Sequence, residues 1–212
     1  MAEGPLTTRD RLLDAAQTLF VMKGFALTTV DEICAKAGAT KGAFFHHFEN
    51  KDDIALKALE RFAYGRLSLM QAGSEHWPRD PIDRLFAYVH HVSAASLEDS
   101  HPRGCLIAIL AMELGATSEI FRRNCDLYFG IWTDYVRGLI AAAVDAHPHP
   151  KKLDINPGDL ADHFVTIFEG SVVLARSSGD MRIFERNLGL FEQYLRFLFG
   201  GSAAQKRARA VG

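Results

Sequence analysis

Cysteine is scarce: Cys34, Cys105 and Cys125 are the only three in 212 residues, and no C-x-x-C occurs among them. An odd, scattered set of this kind does not make a disulfide framework and suits a reducing compartment. Long apolar runs are missing too, as is a basic amino-terminal stretch followed by an apolar segment, so neither export nor a membrane span is expected and the chain reads as cytoplasmic. No sign of charge dominates, with 24 Lys and Arg against 26 Asp and Glu for a net charge of −2. That balance excludes a nonspecific basic coat but leaves room for a small local patch. There is no Gly-rich phosphate loop, no G-x-S-x-G and no carboxylate pair at a defined spacing, so no enzyme and no cofactor is expected. His46 and His47, His90 and His91, and His147 and His149 stand next to or near each other, but none has the i, i+4 spacing that aims two imidazoles at one ion, so no metal is expected.

What is present is helix from end to end, an all-α chain without strand signals. Residues 8–23 place Leu12, Leu13, Ala16, Leu19 and Phe20 at spacings of three and four, the stripe of an amphipathic helix. Thr8 is expected to cap its start and Gly24 its end. Residues 29–32, "TVDE", form a capping box in which the Thr29 hydroxyl and the Glu32 carboxylate satisfy each other's backbone N–H groups. A second helix follows to Ala37. Gly38 suits the left-handed residue that ends it, and a third helix starts after Thr40 and runs to about Phe48.

Helix, tight turn, helix, with a preceding helix to complete the core, is the arrangement that places the last helix in the DNA major groove. Ile33, Ala37, Phe44 and Phe48 are expected to face the core. Phe45, His46 and His47 are left toward the outer face and the helix end. Thr40, Lys41, Gly42 and Ala43 occupy the first turn, where N–H groups favour phosphate and small residues permit close approach to bases. The count over residues 1–55 runs against a basic footprint: Arg9, Arg11, Lys23, Lys36, Lys41 and Lys51 face Glu3, Asp10, Asp14, Asp31, Glu32, Glu49, Asp52 and Asp53. Binding would therefore rest on hydroxyls, helix ends and a few placed cations, with the basic tail Lys206, Arg207 and Arg209 too remote in sequence to assign.

The stretch "TTVDEICAKAGATKGAFFHHFENKDDI" resembles the DNA-binding signature of the TetR family of bacterial repressors. The match lies in the threonine before the second helix, the A-G-x-T-K-G turn, the paired aromatics, the His-Phe end and the N-K-D-D start of the fourth helix. It covers the first quarter of the chain. The resemblance implies an all-helical homodimer whose variable C-terminal domain binds a small ligand, with ligand binding changing the spacing of two reading heads and releasing a partly palindromic double-stranded operator. It also implies DNA contacts at Thr29, Thr40, Lys41, Gly42, Ala43, Phe45, His46, His47 and Lys51. One position departs from the pattern: the family commonly has Tyr where Phe45 stands, so a phosphate hydrogen bond is absent and Phe45 is left to pack on sugar or a thymine methyl.

The domains are expected at 1–50 for DNA binding, 51–200 for effector binding and dimerisation, and 201–212 for a frayed tail. Asn50 is expected to cap a long helix to about Ala72, Pro81 to open another to Leu97, and further helices to run at about 105–115, 118–146, 158–178 and 183–199. Phe121, Cys125, Tyr128, Trp132, Val136 and Leu139 share one face of the 118–146 helix, as core or as the wall of a ligand cavity. The candidate effector pocket takes in Phe62, Phe86, His90, Cys105, Met112, Glu113, Tyr128, Trp132 and Phe168, with His90 and Glu113 as its polar groups or else as satisfied packing residues. Phe164, Phe168, Ser171, Phe191, Leu195 and Leu198 are the candidate dimer interface, unless they only close the subunit core; two copies of the last helix pair would make a four-helix bundle.

Cys105 follows a Pro–Gly break at the start of a helix, with Arg103 two residues before it, an environment that stabilises a thiolate. Cys34 and Cys125 lie on apolar stripes. The segment from Cys105 to "MELGATSEIFR" resembles, more loosely, the subgroup that includes the N-ethylmaleimide-responsive repressor, which implies an electrophilic effector beside the alternative of a small apolar one. The expected function is a ligand-responsive repressor. The rival is a TetR-shaped ligand-binding or interaction protein with weak or no operator binding, motivated by Phe45 and the acidic head.

Overall fold

The computed structural model describes residues 6–97, 104–147 and 155–200. Among them the order is α1 (Thr8–Lys23), α2 (Val30–Ala37), α3 (Lys41–His47), α4 (Lys51–Gln71), a 3-10 turn at Ser74–His76, α5 (Pro81–Leu97), α6 (Leu106–Leu114), α7 (Glu119–Ala146), α8 (Pro157–Ser178) and α9 (Arg182–Phe199). No strand occurs in the described residues. The tail at 201–212, with its three basic residues, and Arg103 lie outside them.

Local chemistry sets the helix limits. The cap of α1 is Thr7 rather than the expected Thr8: the Thr7 hydroxyl accepts from the Asp10 N–H while the Asp10 carboxylate accepts from the Thr7 N–H. Thr7 prevails because it stands three residues before a carboxylate, the spacing a reciprocal box requires. The Thr29–Glu32 box closes as expected, and Gly38 takes a left-handed conformation at φ 60° and ψ 42° that ends α2. Thr40 caps α3 through the Ala43 N–H, and Asn50 accepts from the Asp53 N–H at the start of α4. Asp80 does the same for Ile82 and Asp83 as α5 begins at Pro81.

The chain divides into two compact units, residues 1–66 with 102–128 and residues 67–101 with 129–212. In the first, Leu12, Ala16 and Phe20 of α1, Ile33 of α2, Phe44 of α3 and Ile54 and Ala58 of α4 are all fully buried, with α1 packed on α2 and α3 and α2 on α3. A buried phenylalanine of this kind contributes about 2–3 kcal/mol through apolar area removed from water. The unit is more than the N-terminal helices, because α6 packs against α1. In the second, α8 packs on α9 and α5 on α9, around a core of Tyr88, Trp132, Phe164, Phe168, Phe184, Phe191 and Leu195. Within it Trp132 Nε1–H donates to the Tyr88 hydroxyl at 2.7 Å, which lets the two large polar-tipped rings be buried with the indole donor paired.

Candidate nucleic-acid interface and ligand domain

α3 is two turns long and splits cleanly by face. Phe44 and the following Phe48 are buried against α1, whereas Phe45 is 57% exposed, Lys41, Gly42 and His46 are exposed, and Ala43 and His47 are half-buried. Core packing at spacing four fixes the rotation of the helix, and that rotation forces the intervening residues outward. The Phe45 ring is not loose: it meets Phe44 edge to face at 5.2 Å. Thr29 and Thr40 are exposed at the N-caps of α2 and α3. Thr29, Thr40 and these six outward residues of α3 are all at least partly open to solvent.

Lys51, the ninth expected contact residue, is engaged within the head. Its ammonium donates to the Phe25 and Thr28 carbonyls at 3.1 Å each and sits 4.1 Å from the centre of the Phe25 ring. Two carbonyls and a ring face satisfy the cation inside the head, so it pins the α1–α2 turn to α4. Other cations of the head are engaged as well. Arg11 donates to the Ala37 carbonyl, Lys23 pairs with Glu32 at 2.5 Å, and Lys41 pairs with Asp31 at 2.8 Å. The Asp31 hydrogen bond holds the Lys41 ammonium pKa above its ordinary value.

Two family models match this architecture. One, described as "Bacterial regulatory proteins, tetR family", matches residues 12–58, and one described as "Tetracyclin repressor-like, C-terminal domain" matches residues 81–191. The chain belongs to the TetR family. Among its relatives, the HTH-type transcriptional repressor DhaR of Mycobacterium sp. strain GP1 is 27% identical over 199 residues, spanning 94% of this chain and 93% of its own. The TetR regulatory protein from Rhodobacter sphaeroides shares the fold with a TM-score of 0.74 at 24% identity, over 88% of this chain and 97% of that one. The reduced form of NemR from E. coli does so with a TM-score of 0.67 at 21% identity, over 90% and 97%. The relatives are transcriptional regulators, and no described helix is long and apolar enough to cross a membrane.

In this TetR-family chain the residues expected at an effector pocket fall in both units. Phe86, Trp132 and Phe168 are buried in the aromatic core of the second unit. His90 is exposed, and its neighbour His91 is the packed imidazole, with Nε2 2.7 Å from the Leu69 carbonyl and its ring 5.5 Å from Trp77. The two histidines are one residue apart, about 100° of helix rotation, so a small error in the assumed face exchanges them. In the first unit Phe62 is half-buried, Tyr128 is buried against Tyr64, and Met112 is 85% exposed. The Glu113 carboxylate accepts from the Phe25 and Ala26 N–H groups.

The expected dimer residues lie mostly in the core of the second unit. Phe164, Phe168, Ser171, Phe191 and Leu195 are buried within the single subunit and Leu198 is half-buried. The outward apolar stripes are Val173 and Leu174 on α8 and Leu190, Tyr194 and Phe197 on α9, each between 44% and 85% exposed. Between the two helices lies a depression of about 420 Å³ lined by Ile167, Gly170, Leu174, Leu190 and Tyr194 among others. Both faces of these helices are apolar, and hydrophobic periodicity alone does not say which one the subunit keeps.

Cys105 is the N-cap residue of α6 and half-buried, whereas Cys34 and Cys125 are buried. Burial pushes the Cys125 thiol up to about 11, and it raises that of Cys34 as well, with Asp31 adding to the shift.

Proposed function

We propose that the protein is a ligand-responsive transcriptional repressor that binds a palindromic operator as a homodimer in the cytoplasm and is released by a small apolar or electrophilic effector. The observation that carries this reading is the outer face of α3: Lys41, Gly42, Phe45 and His46 are presented to solvent by a helix whose opposite face is locked into the core by Phe44. A packing module has no use for an exposed phenylalanine beside a threonine-capped lysine and glycine, while a major groove accepts each of them. Residues 1–50 supply the DNA-binding part, and residues 51–200 the effector and dimer part.

The second copy seats on the outer face of α8 and α9, where Leu174, Leu190, Tyr194 and Phe197 form an apolar surface that a lone subunit leaves in water. Two such helix pairs make a four-helix bundle across a twofold axis. Twofold symmetry in the protein then asks for twofold symmetry in the DNA site.

A second reading, a TetR-shaped ligand-binding or interaction protein with weak or no operator binding, is supported by the engaged state of Arg11, Lys23, Lys41 and Lys51. Titration of the purified protein against the DNA flanking its own gene, at several salt concentrations, separates the two. A repressor binds one site with an affinity that falls steeply as salt rises. Binding no tighter than to unrelated DNA would leave the second reading standing.

A further inference from the structure

The turn between α1 and α2 is only five residues, Gly24 to Thr28, and it is held from two sides by opposite charges. On one side Lys51 at the start of α4 takes the carbonyls of Phe25 and Thr28. On the other, Glu113 near the end of α6 takes the N–H groups: Oε1 accepts from Phe25 at 3.1 Å and Oε2 from Ala26 at 2.8 Å. The Phe25 ring fills the space between, 5.6 Å from Phe20 of α1 and 6.1 Å from Phe121 of α7. The Thr28 hydroxyl closes the turn on itself by donating to the Gly24 carbonyl at 2.7 Å.

The backbone is shaped to admit the carboxylate. Gly24 has φ +86°, and a Cβ there would stand 2.2 Å from Glu113 Oε1. The positive φ favours glycine, and a Cβ there would push the Glu113 carboxylate off its two N–H partners. Immediately after the turn comes Thr29, whose hydroxyl and N–H make the capping box that starts α2, and α2 carries α3. Glu113 is thus the one charged side chain on α6, and it bonds the backbone of the segment that orients the reading pair.

We infer that Glu113 is a positioning residue for operator binding: its carboxylate ties the end of α6 to the α1–α2 turn and so holds in place the segment that sets α2 and α3. The inference rests on the repressor reading. It departs from a pocket role for Glu113, because both carboxylate oxygens are committed to backbone N–H groups of the head.

The test compares the full-length protein with Glu113→Gln, which keeps the shape but turns one acceptor into a donor facing an N–H. Amide exchange at Phe25 and Ala26 should quicken by about tenfold or more, with Phe44 and Phe48 still protected, and operator affinity should fall by about tenfold. Spin labels at Lys36→Cys in a Cys105→Ser background should show a wider spread of head-to-head distances in the Gln variant, which a merely packing contact would not produce. Gly24→Ala approaches the joint from the other side by displacing the carboxylate, and its loss of affinity should be smaller in a Glu113→Ala background than in the native one. Faster exchange with native affinity and native distances, unchanged exchange, or strictly additive losses would overturn the inference. A native protein that binds no operator would sink the repressor reading, and this role with it, whereas native binding matched by Glu113→Gln sinks this role alone.

Discussion

Lys41 Nζ lies 2.8 Å from Asp31 Oδ1, an ion pair across the α2–α3 turn whose side chains are 63% and 65% exposed. Pairs this open to water are weak and easily exchanged, so in the repressor reading a phosphate or a guanine edge would replace Asp31 at little cost. Lys41→Ala is expected to weaken operator binding by roughly five- to a hundredfold if the lysine reads a base, and less and uniformly across sequences if it meets phosphate. Asp31→Asn, which frees the cation, should strengthen binding at low salt. Gel-shift titration measures both. Native affinity in Lys41→Ala would remove this lysine from the interface.

Assembly depends on which stripe of α9 is charged. Leu190 is 55% exposed and Leu195 fully buried, five residues apart on one helix. Leu190→Glu is expected to give a folded monomer by sedimentation and circular dichroism. Leu195→Glu should lower the thermal midpoint or prevent folding, because an unpaired buried charge costs about 3–5 kcal/mol. A native-mass dimer from Leu190→Glu would place the interface elsewhere.

Thiol reactivity should single out Cys105. A brief maleimide pulse at pH 7 is expected to label Cys105 ahead of Cys34 and Cys125, since the latter two are buried and their thiols are held neutral. Peptide mass spectrometry reads the site, with Cys105→Ser as the control. If the adduct acts as an effector, operator affinity falls in the native protein and not in the control.

Acid stability carries a signature of the α2 capping box. The Glu32 carboxyl is lowered from 4.5 to about 2, first by its hydrogen bond to Lys23 and then by the Thr29 N–H and hydroxyl. A depressed carboxylate contributes stability that is complete above the unfolded value and is lost as pH falls through the folded one. Glu32→Gln should therefore flatten the stability profile between about pH 4.5 and 2, as read by chemical denaturation at stepped pH. An unchanged acid limb would mean that neither Lys23 nor the capping box holds Glu32 in solution.

Much of this molecule is written locally. The capping box at Thr29, the left-handed Gly38, the Asn50 cap and the inward pair Phe44 and Phe48 depend on neighbours within four residues, and the sequence alone determined them together with the all-helical class and the family. Thr7 displaced Thr8 for an equally local reason, the Asp10 three positions on. What the tertiary structure decided are choices between equivalent local options. α8 and α9 are apolar on two faces, and only packing on α5 and on each other turns Phe164, Phe191 and Leu195 inward and leaves Leu174, Leu190 and Tyr194 outside. His90 and His91 differ by one step of helix rotation, and the neighbours Trp77 and Leu69 select the second. Lys51 and Glu113 are the clearest instance: one is 26 residues from Phe25 and the other 88. A charge's partner at such separations is set by where the chain returns, which no periodicity in the sequence encodes.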